Sequence, residues 1–598
     1  MKNDSHKFFS VIFIVLASGF LCALSLSFAI GVYDWNIFFG YFRHPLIFLL
    51  NWIPIILLFG FFYVLTNRQF AAFLLTAVIT LSSSIGNYFK LKFRDEPFVF
   101  QDLGSIRAGL SVAGNYGVAV SKRIVLSLLL VLLIAFLLYR FSKEKMTAAP
   151  RICLSVILMI SLFPLWRFIY SDDQLYRTLA DRNLILETWD SNQYFVANGF
   201  PYPFLHSITA SRDIPPADYT PENAKKILSG FHGENIPEAE KVNLLVIQLE
   251  SFADLEAMGV DGISSDTYER FRSIQEESVC GTMVANVIGG GTVDTERCFL
   301  SGSYGLQSYR RDSSSYIRYL NSQGYHTSFG HPNRAFFYNR QNIASYLGFE
   351  ESFFNDNRYA ELTGGQWRCD SAFLPDVFHQ FCDDIQSGSP VFSFRVTIQG
   401  HAPYNNESFD VDGHFWAKDG ASDASRYEVN NYLSSINETQ KYLSEGLDLL
   451  RNISAPCVVM LYGDHKPFFD SPEAYQDLGI DFDMSTWKGV LDYYGTPWMI
   501  WANASAKEVF SSDFRGTGPT VSPGYLMNVL FQELGWGGNA FMQFTSSILS
   551  RLPVITSNQY YVENGQFTSS LSEEGKSLLH DYECVQFYYR ANPEESAA

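Results

Sequence analysis

The stretch Gly289-Gly290-Gly291-Thr292-Val293-Asp294-Thr295-Glu296 sets a threonine hydroxyl directly after three glycines. Glycine lacks a Cβ, so the backbone there can turn sharply and admit a metal or phosphate close to the neighbouring hydroxyl. Taken alone, the stretch reads equally well as a surface turn whose hydroxyl caps the next helix. Two other segments change the balance. Val242 to Glu250 and Val458 to His465 are apolar runs of strand length, and each ends abruptly in metal-capable side chains: Glu250 in one, the Asp464-His465 pair in the other. Two carboxylates, an imidazole and the Thr292 hydroxyl make a site of three oxygens and one nitrogen. Such a mixed set suits Mn²⁺ or Mg²⁺, with Zn²⁺ as an alternative. A divalent ion on the Thr292 hydroxyl lowers its pKa and favours the alkoxide, which makes the threonine a nucleophile. The reaction that uses this equipment is displacement at phosphorus or sulfur, giving a covalent ester on Thr292.

Further groups could serve the same reaction. His401, in Gln399-Gly400-His401-Ala402-Pro403, could bind a phosphoryl oxygen or protonate a leaving group. Trp367-Arg368 could close over a phosphodiester by stacking and charge. His331, in Gly330-His331-Pro332-Asn333, reads in the first place as a structural histidine.

These residues need a scaffold that brings distant segments together. From residue 241 onward, short β-rich runs (Val242–Leu249, Tyr325–Phe329, Val391–Ile398, Pro456–Leu461, Pro497–Trp501) alternate with helical patterns such as Ser313–Gln323 and Ser434–Arg451. The alternation predicts a mainly parallel sheet with helices on both faces, where ligands gather beyond the carboxyl ends of the strands. Glu250, His331, His401 and Asp464-His465 all stand at such ends.

The first 170 residues are of another kind. Five apolar stretches (Phe8–Val32, Pro45–Leu65, Phe70–Tyr88, Ile124–Tyr139, Ile152–Tyr170) have or approach the length a bilayer requires. One signal peptide accounts for at most the first. Residues 171–240, with Asn198-Gly199-Phe200-Pro201-Tyr202-Pro203 and Pro215-Pro216, read as turns, extended chain and one short helical pattern from Pro221 to Phe231. The expected organisation is therefore a five-helix transmembrane domain over 1–170, a linker over 171–240 and one α/β domain over 241–598. Loop charges give two answers on orientation. Lys2, Lys7, Arg68, Arg140, Lys143, Lys145 and Arg151 place the N-terminus inside and the large domain outside. Lys90, Lys92, Arg94, Arg107, Lys122 and Arg123, in a loop that would then be outside, oppose that reading.

The net charge of −19, from 43 basic and 62 acidic residues, makes nucleic acid an unsuitable partner. Of eight cysteines, Cys22 and Cys153 lie in apolar runs. The other six contain no Cys-x-x-Cys pair, so a zinc ribbon or thioredoxin-type site is disfavoured. Their even number permits disulfides.

At the level of motifs, the chain resembles the membrane-anchored phosphoglycerol transferases of the alkaline phosphatase/sulfatase superfamily, the lipoteichoic acid synthases among them. The resemblance runs through the five spans, Phe93-Arg94-Asp95-Glu96-Pro97-Phe98, Leu249-Glu250-Ser251, Gly291 to Glu296, Phe337-Tyr338-Asn339-Arg340, Gly400-His401-Ala402-Pro403, Tyr462-Gly463-Asp464-His465 and Leu552-Pro553-Val554-Ile555. It implies an extracellular sulfatase-like catalytic domain in which Glu250, Thr292, Asp464 and His465 bind Mn²⁺. It further implies that Thr292 is the nucleophile, that His401 contacts the substrate phosphate, and that the substrate-binding positions include Trp367 and Arg368. The implied reaction takes glycerol phosphate from phosphatidylglycerol, releases diacylglycerol and passes the group to an acceptor hydroxyl on a lipoteichoic acid chain or glycan. Where the family often has Trp-Gly-x-x-Asp, this chain has Trp367-Arg368-Cys369-Asp370. Cys298-Phe299-Leu300-Ser301-Gly302 does not fit the Cys/Ser-x-Pro-x-Arg motif of sulfatases with a modified nucleophile. Two other readings stand beside this one: a phosphoethanolamine transferase of the same superfamily, usually with Zn²⁺ and several disulfides, and a non-catalytic membrane-anchored binding protein.

Overall fold

A computed structural model describes residues 2–597 apart from 31–34, 95–96, 106–120, 143–144, 184–194, 211–214, 336, 405–414 and 472. Asp95, Glu96, Arg107 and Lys143, which entered the sequence reading above, lie outside the described residues. The chain divides into two compact units, Met1–Ile214 and Pro215–Ala598. The segment 171–240 is shared between them.

In the first unit, five helices are long and apolar enough to cross a membrane. They are α1 (Lys2–Ala29), α2 (Pro45–Thr66), α3 (Gln69–Arg94), α4 (Lys122–Phe141) and α5 (Ala148–Leu165), the last continued by a π-helical turn to Tyr170. The fourth and fifth spans run further than their apolar stretches suggest, because Ser121 caps α4 three residues before Ile124 and α5 starts at Ala148. Pro54 inside α2 has no N–H to offer the Leu50 carbonyl one turn earlier. The Tyr170 hydroxyl supplies that bond instead, at 2.8 Å. Residues 198–203 are extended chain only in part. A turn at Asn198-Gly199 leads straight into α6 (Pro201–Ala210), since proline fits the first turn of a helix, where its missing N–H has no partner to lose.

The second unit is built on an eight-stranded sheet. Its strands are β1 (Asn243–Leu249), β2 (Ser278–Val284), β3 (His326–Gly330), β4 (Glu351–Phe353), β5 (Val391–Val396), β6 (Cys457–Gly463), β7 (Gly495–Ala502) and β8 (Gly516–Val521), in the order β4-β3-β5-β1-β6-β7-β2-β8. Only β7 runs against the rest; it pairs antiparallel with both β6 and β2. Alternation along β1 explains why both faces are covered. Leu244 and Val246 enter one core with Phe299 and Leu300 of α7 (Thr292–Ser301). Leu245, Ile247 and Leu249 enter another with the apolar faces of α9 (Asp370–Ile385) and α10 (Asp423–Arg451), while α8 (Arg340–Leu347) packs its Ile343 and Leu347 into the first. A parallel strand buried on both faces reads as an unbroken apolar run, as β1 and β6 do. β2 and β8 escape that signal because Cys280-Gly281-Thr282 and Gly516-Thr517-Gly518 lack apolar bulk: Trp498 of β7 occupies the space that Cβ atoms at Gly281 and Gly518 would need.

Candidate active site

β1 and β6 are parallel neighbours in a register that pairs Leu249 with Gly463. The next residue of each, Glu250 and Asp464, therefore emerges side by side at the carboxyl edge of the sheet. Two glycines allow the crowding. A Cβ at Gly463 would lie 2.1 Å from the Phe252 carbonyl oxygen, and one at Gly400 would lie 2.0 Å from that of Glu250. The Glu250 amide donates to Thr397 Oγ1 beyond β5 (2.9 Å), which joins a third strand end to the pair.

Thr292 arrives from the other direction as the first residue of α7. Gly291, at φ +80°, supplies the left-handed turn before it, and Gly289, at φ +67°, packs against Phe468 where a Cβ would collide at 2.3 Å. Gly290 faces open space, so two of the three glycines have a steric reason. Thr292 Oγ donates to Glu250 Oε2 at 2.9 Å, and its carbonyl accepts from Gln248 Nε2 of β1 at 3.0 Å. The amide end of the helix, where partial positive charge collects, thus lies at Thr292.

The remaining contacts fix what each group can do. Asp464 Oδ1 accepts from the amides of Ser251 (2.8 Å) and His465 (2.7 Å), while its buried Oδ2 has no hydrogen-bond partner. The Lys466 carbonyl lies 2.9 Å from His465 Nδ1 and can only accept, so Nδ1 carries the proton and Nε2 presents a lone pair. That Nε2 also has no hydrogen-bond partner, and it lies 3.5 Å from Glu250 Oε1 and 3.4 Å from Asp464 Oδ2. Glu250, Asp464 and His465 each offer a ligand atom within 4.8 Å of the others, and all three are buried with Thr292. Burial, with Glu250 beside it, pushes the Asp464 carboxyl well above the usual carboxylate range. Burial works against the His465 imidazolium, but Asp464 and Glu250 outweigh it and the net direction is upward. Lone pairs and carboxylates converging in a dry pocket repel one another unless a cation sits among them. The donor set fits a divalent ion.

Around this centre the other candidates fall as follows. His401 is half-buried; its Nδ1 lies 2.5 Å from the Ala402 carbonyl, and the Trp367 ring meets it edge to face with centroids 4.8 Å apart. Trp367 is 44% exposed. Arg368 pairs with Glu438 of α10 at 2.8 Å, and Glu438 also accepts from Gln399 Nε2. His331 is fully buried, with Nδ1 on the Val396 carbonyl (3.0 Å) and Nε2 unpartnered. Burial, reinforced by the Arg340 charge, holds it well below its ordinary pKa and so neutral.

A buried pair, Arg340 Nε to Glu296 Oε2 at 2.9 Å, escaped a functional assignment from sequence. Glu296 lies one helical turn after Thr292, and Arg340 opens α8, so the pair ties the helix that Thr292 starts to the segment that follows β3. The four-residue spacing from Thr292 carries the signal for Glu296. Nothing in the sequence points Arg340 toward it. Lys466 is likewise buried, its Nζ 2.9 Å from Met258 Sδ, and burial draws its pKa down to about 7. All eight cysteines are free thiols, which removes the disulfides that had supported the phosphoethanolamine transferase reading.

Comparison with known proteins places this geometry. Residues 242–529 match the Sulfatase family model. Over 600 aligned residues the chain is 22% identical to a protein assigned to cyclic β-1,2-glucan modification in Rhizobium meliloti (strain 1021), covering 95% of this chain and 90% of that one. Among solved structures it is similar to the Streptococcus pyogenes phosphoglycerol transferase GacH in complex with sn-glycerol-1-phosphate (17% identity, 62% of this chain and 94% of that chain, TM-score 0.46). It is also similar to the lipoteichoic acid synthase LtaP from Listeria monocytogenes (18% identity, 62% and 97%, TM-score 0.45). The stretch that matches the Sulfatase family model, Val242 to Val529, carries Glu250, Thr292, His401, Asp464 and His465.

Proposed function

We propose that the protein is a membrane phosphoglycerol transferase that moves glycerol phosphate from phosphatidylglycerol to an acceptor hydroxyl through a phosphoester on Thr292, with its large domain outside the cell. The observation that carries this reading is the convergence of the Thr292 hydroxyl on Glu250 beside two buried, unpartnered ligand atoms, Asp464 Oδ2 and His465 Nε2. Five membrane-length helices support a lipid donor, because a tethered domain meets such a donor at high effective concentration. The motif resemblance supports glycerol phosphate as the group and Mn²⁺ as the ion. The Rhizobium relative supports a glucan as acceptor.

Glu250, Asp464 and His465, with Thr292 as fourth donor, would hold the divalent ion. When bound, it lowers the pKa of the threonine alcohol and offsets charge on the phosphoryl oxygens. Glu250 Oε2 orients the Thr292 hydroxyl, and the N-terminus of α7 favours the anionic group arriving there. Thr292 Oγ passes its proton to Glu250 Oε2, to which it already donates, and forms a bond to phosphorus as the phosphorus–oxygen bond to diacylglycerol breaks. The departing oxygen takes a proton from the half-exposed His401. In the second half the acceptor oxygen passes its proton to His401 and attacks phosphorus, and the departing Thr292 oxygen recovers its proton from Glu250.

The test is incubation of full-length protein in phosphatidylglycerol vesicles with Mn²⁺ and a β-glucan. Diacylglycerol release, a glycerol-phosphate adduct on the peptide carrying Thr292 and a glucan product heavier by the same group are expected, and all three are lost in Thr292→Ala. Release that survives in Thr292→Ala overturns the mechanism; transfer from phosphatidylethanolamine alone overturns the donor.

A further inference from the structure

The first unit contains non-helical backbone where the sequence predicts only spans and linker. After Phe195–Ala197 the chain turns at Asn198-Gly199 and re-enters helix at Pro201, with Asn198, Phe200 and Tyr202 all buried. Asn51, itself fully buried in the membrane-length α2, holds this turn. Its Nδ2 donates to the Asn198 carbonyl (2.7 Å), and its Oδ1 accepts from the amides of Phe200 and Tyr202 (3.1 Å each). Gly199, at φ +99°, lies so close that a Cβ would meet Asn51 at 2.7 Å. The Tyr41 hydroxyl covers the Val196 carbonyl. Irregular backbone at membrane depth persists only where protein satisfies it or where it borders a cavity. Here both conditions hold.

The cavity has a volume of about 390 Å³ and lies between α2, α3, the end of α5 and the start of α6; Phe61, Ser83, Leu158, Trp166, Phe204 and Leu205 are among its walls. Phe61 and Ile79, on its border, are about half exposed, so it opens toward the surroundings of the helices. The Ser83 and Tyr170 hydroxyls on its wall are already engaged. The Ser83 hydroxyl donates back into its own helix, to the Ile79 and Thr80 carbonyls, and the Tyr170 hydroxyl serves Leu50. The other walls are mostly apolar, so few of the two to four polar partners a water needs are at hand. A second helix does not fit either: at a diameter of about 10 Å this volume amounts to roughly one turn.

We propose that this cavity holds one acyl chain of a bilayer phospholipid, seated against Phe200 and Pro201, which follow the buried turn at Asn198-Gly199. Since the chain leaves an equally apolar bilayer, its retention rests on close packing, not on the hydrophobic effect. The site reaches from the middle of α2 and α3 (Pro54–Phe61 and Ile79–Ser83) to the finish of α5 (Leu165–Tyr170). It is a binding site separate from the reaction proposed above.

The test places full-length protein in phospholipid nanodiscs doped with a phosphatidylglycerol or a phosphatidylethanolamine carrying a photoactivatable diazirine in mid-chain. After illumination, cross-links map by peptide mass. Cross-links concentrated on Ile79–Ser83 and Phe200–Leu205 are expected, saturating with probe content and falling several-fold in Ser83→Trp and in Leu205→Trp, which fill the cavity from different walls. The same map in Thr292→Ala protein keeps this outcome independent of turnover. Labelling spread evenly over lipid-facing positions such as Leu128, Leu132 and Phe136, and unchanged by both substitutions, overturns the proposal. If neither variant folds, the wild-type map decides alone: a focus at the cavity supports the site and an even spread refutes it.

Discussion

Arg340 and Glu296 offer a quantitative check on the architecture behind Thr292. Both side chains are 2% exposed and 2.9 Å apart, and Arg340 Nε is the donor placed on Glu296 Oε2. Arg340→Ala leaves a carboxylate desolvated and uncompensated, a change that costs about 3–5 kcal/mol in buried pairs. For a unit of the size of Pro215–Ala598, an unfolding entropy of about 2 cal/mol/K per residue means roughly 0.8 kcal/mol per degree. The expected fall in Tm is therefore about 4–6 °C, read by intrinsic fluorescence on the full-length protein in detergent. Replacing both partners, as Glu296→Leu with Arg340→Met, removes the stranded charge along with its counterpart and should recover most of the loss. A single variant within about 1 °C of wild type, or a double variant as unstable as the single, would refute the claim that this pair is shut away from water.

Mn²⁺ at one hundred times its dissociation constant should stabilise the large unit by about 2.7 kcal/mol, or roughly 3 °C, and Asp464→Asn should abolish the shift; an equal shift in both proteins would place the ion elsewhere. Asp370, fully buried with only Thr439 donating to it, is pushed up to about 7 by burial and by Glu438. Its folded-state pKa lies above its unfolded value, so its contribution is intact at low pH and fades as pH rises toward and through 7, costing on the order of 4 kcal/mol above that. Asp370→Asn should therefore flatten the decline in Tm between pH 5 and pH 8, and a parallel decline in both proteins would count against it. Gly400→Ala drives a methyl into the Glu250 carbonyl and should cut diacylglycerol release far more than it lowers Tm; overpacking typically costs about 1–3 kcal/mol, so a variant with full activity would show that the two turns do not touch.

How much of this the residues announce depends on how local each signal is. β1 and β6 declare themselves because a strand buried on both faces must be apolar throughout, and the carboxylates that follow stand out against that run. β2 and β8 stay hidden, since the bulk that fills their face belongs to Trp498 of β7, more than two hundred residues from β2. The turn at Asn198-Gly199 is legible as a turn. That Asn51, in the middle of an apolar stretch, exists to satisfy it is not, because the partnership spans some 150 positions. Arg340 illustrates the same limit at the site. Its partner is fixed by where β3 delivers the chain, which no spacing in the sequence encodes.

The pairing of Leu249 with Gly463 makes the candidate metal centre a gauge of strand alignment. Side chains alternate across a strand, so a slip of one residue between β1 and β6 would point Glu250 and Asp464 to opposite faces and separate the donors. Ion uptake can then occur only after Glu250, Thr292 and Asp464-His465, spread over more than two hundred residues of chain, have been correctly set against one another. A nascent chain that has not yet emerged past His465 holds half a centre. Metal affinity is for this domain an endpoint of folding, readable as the moment when its central strands lock into step.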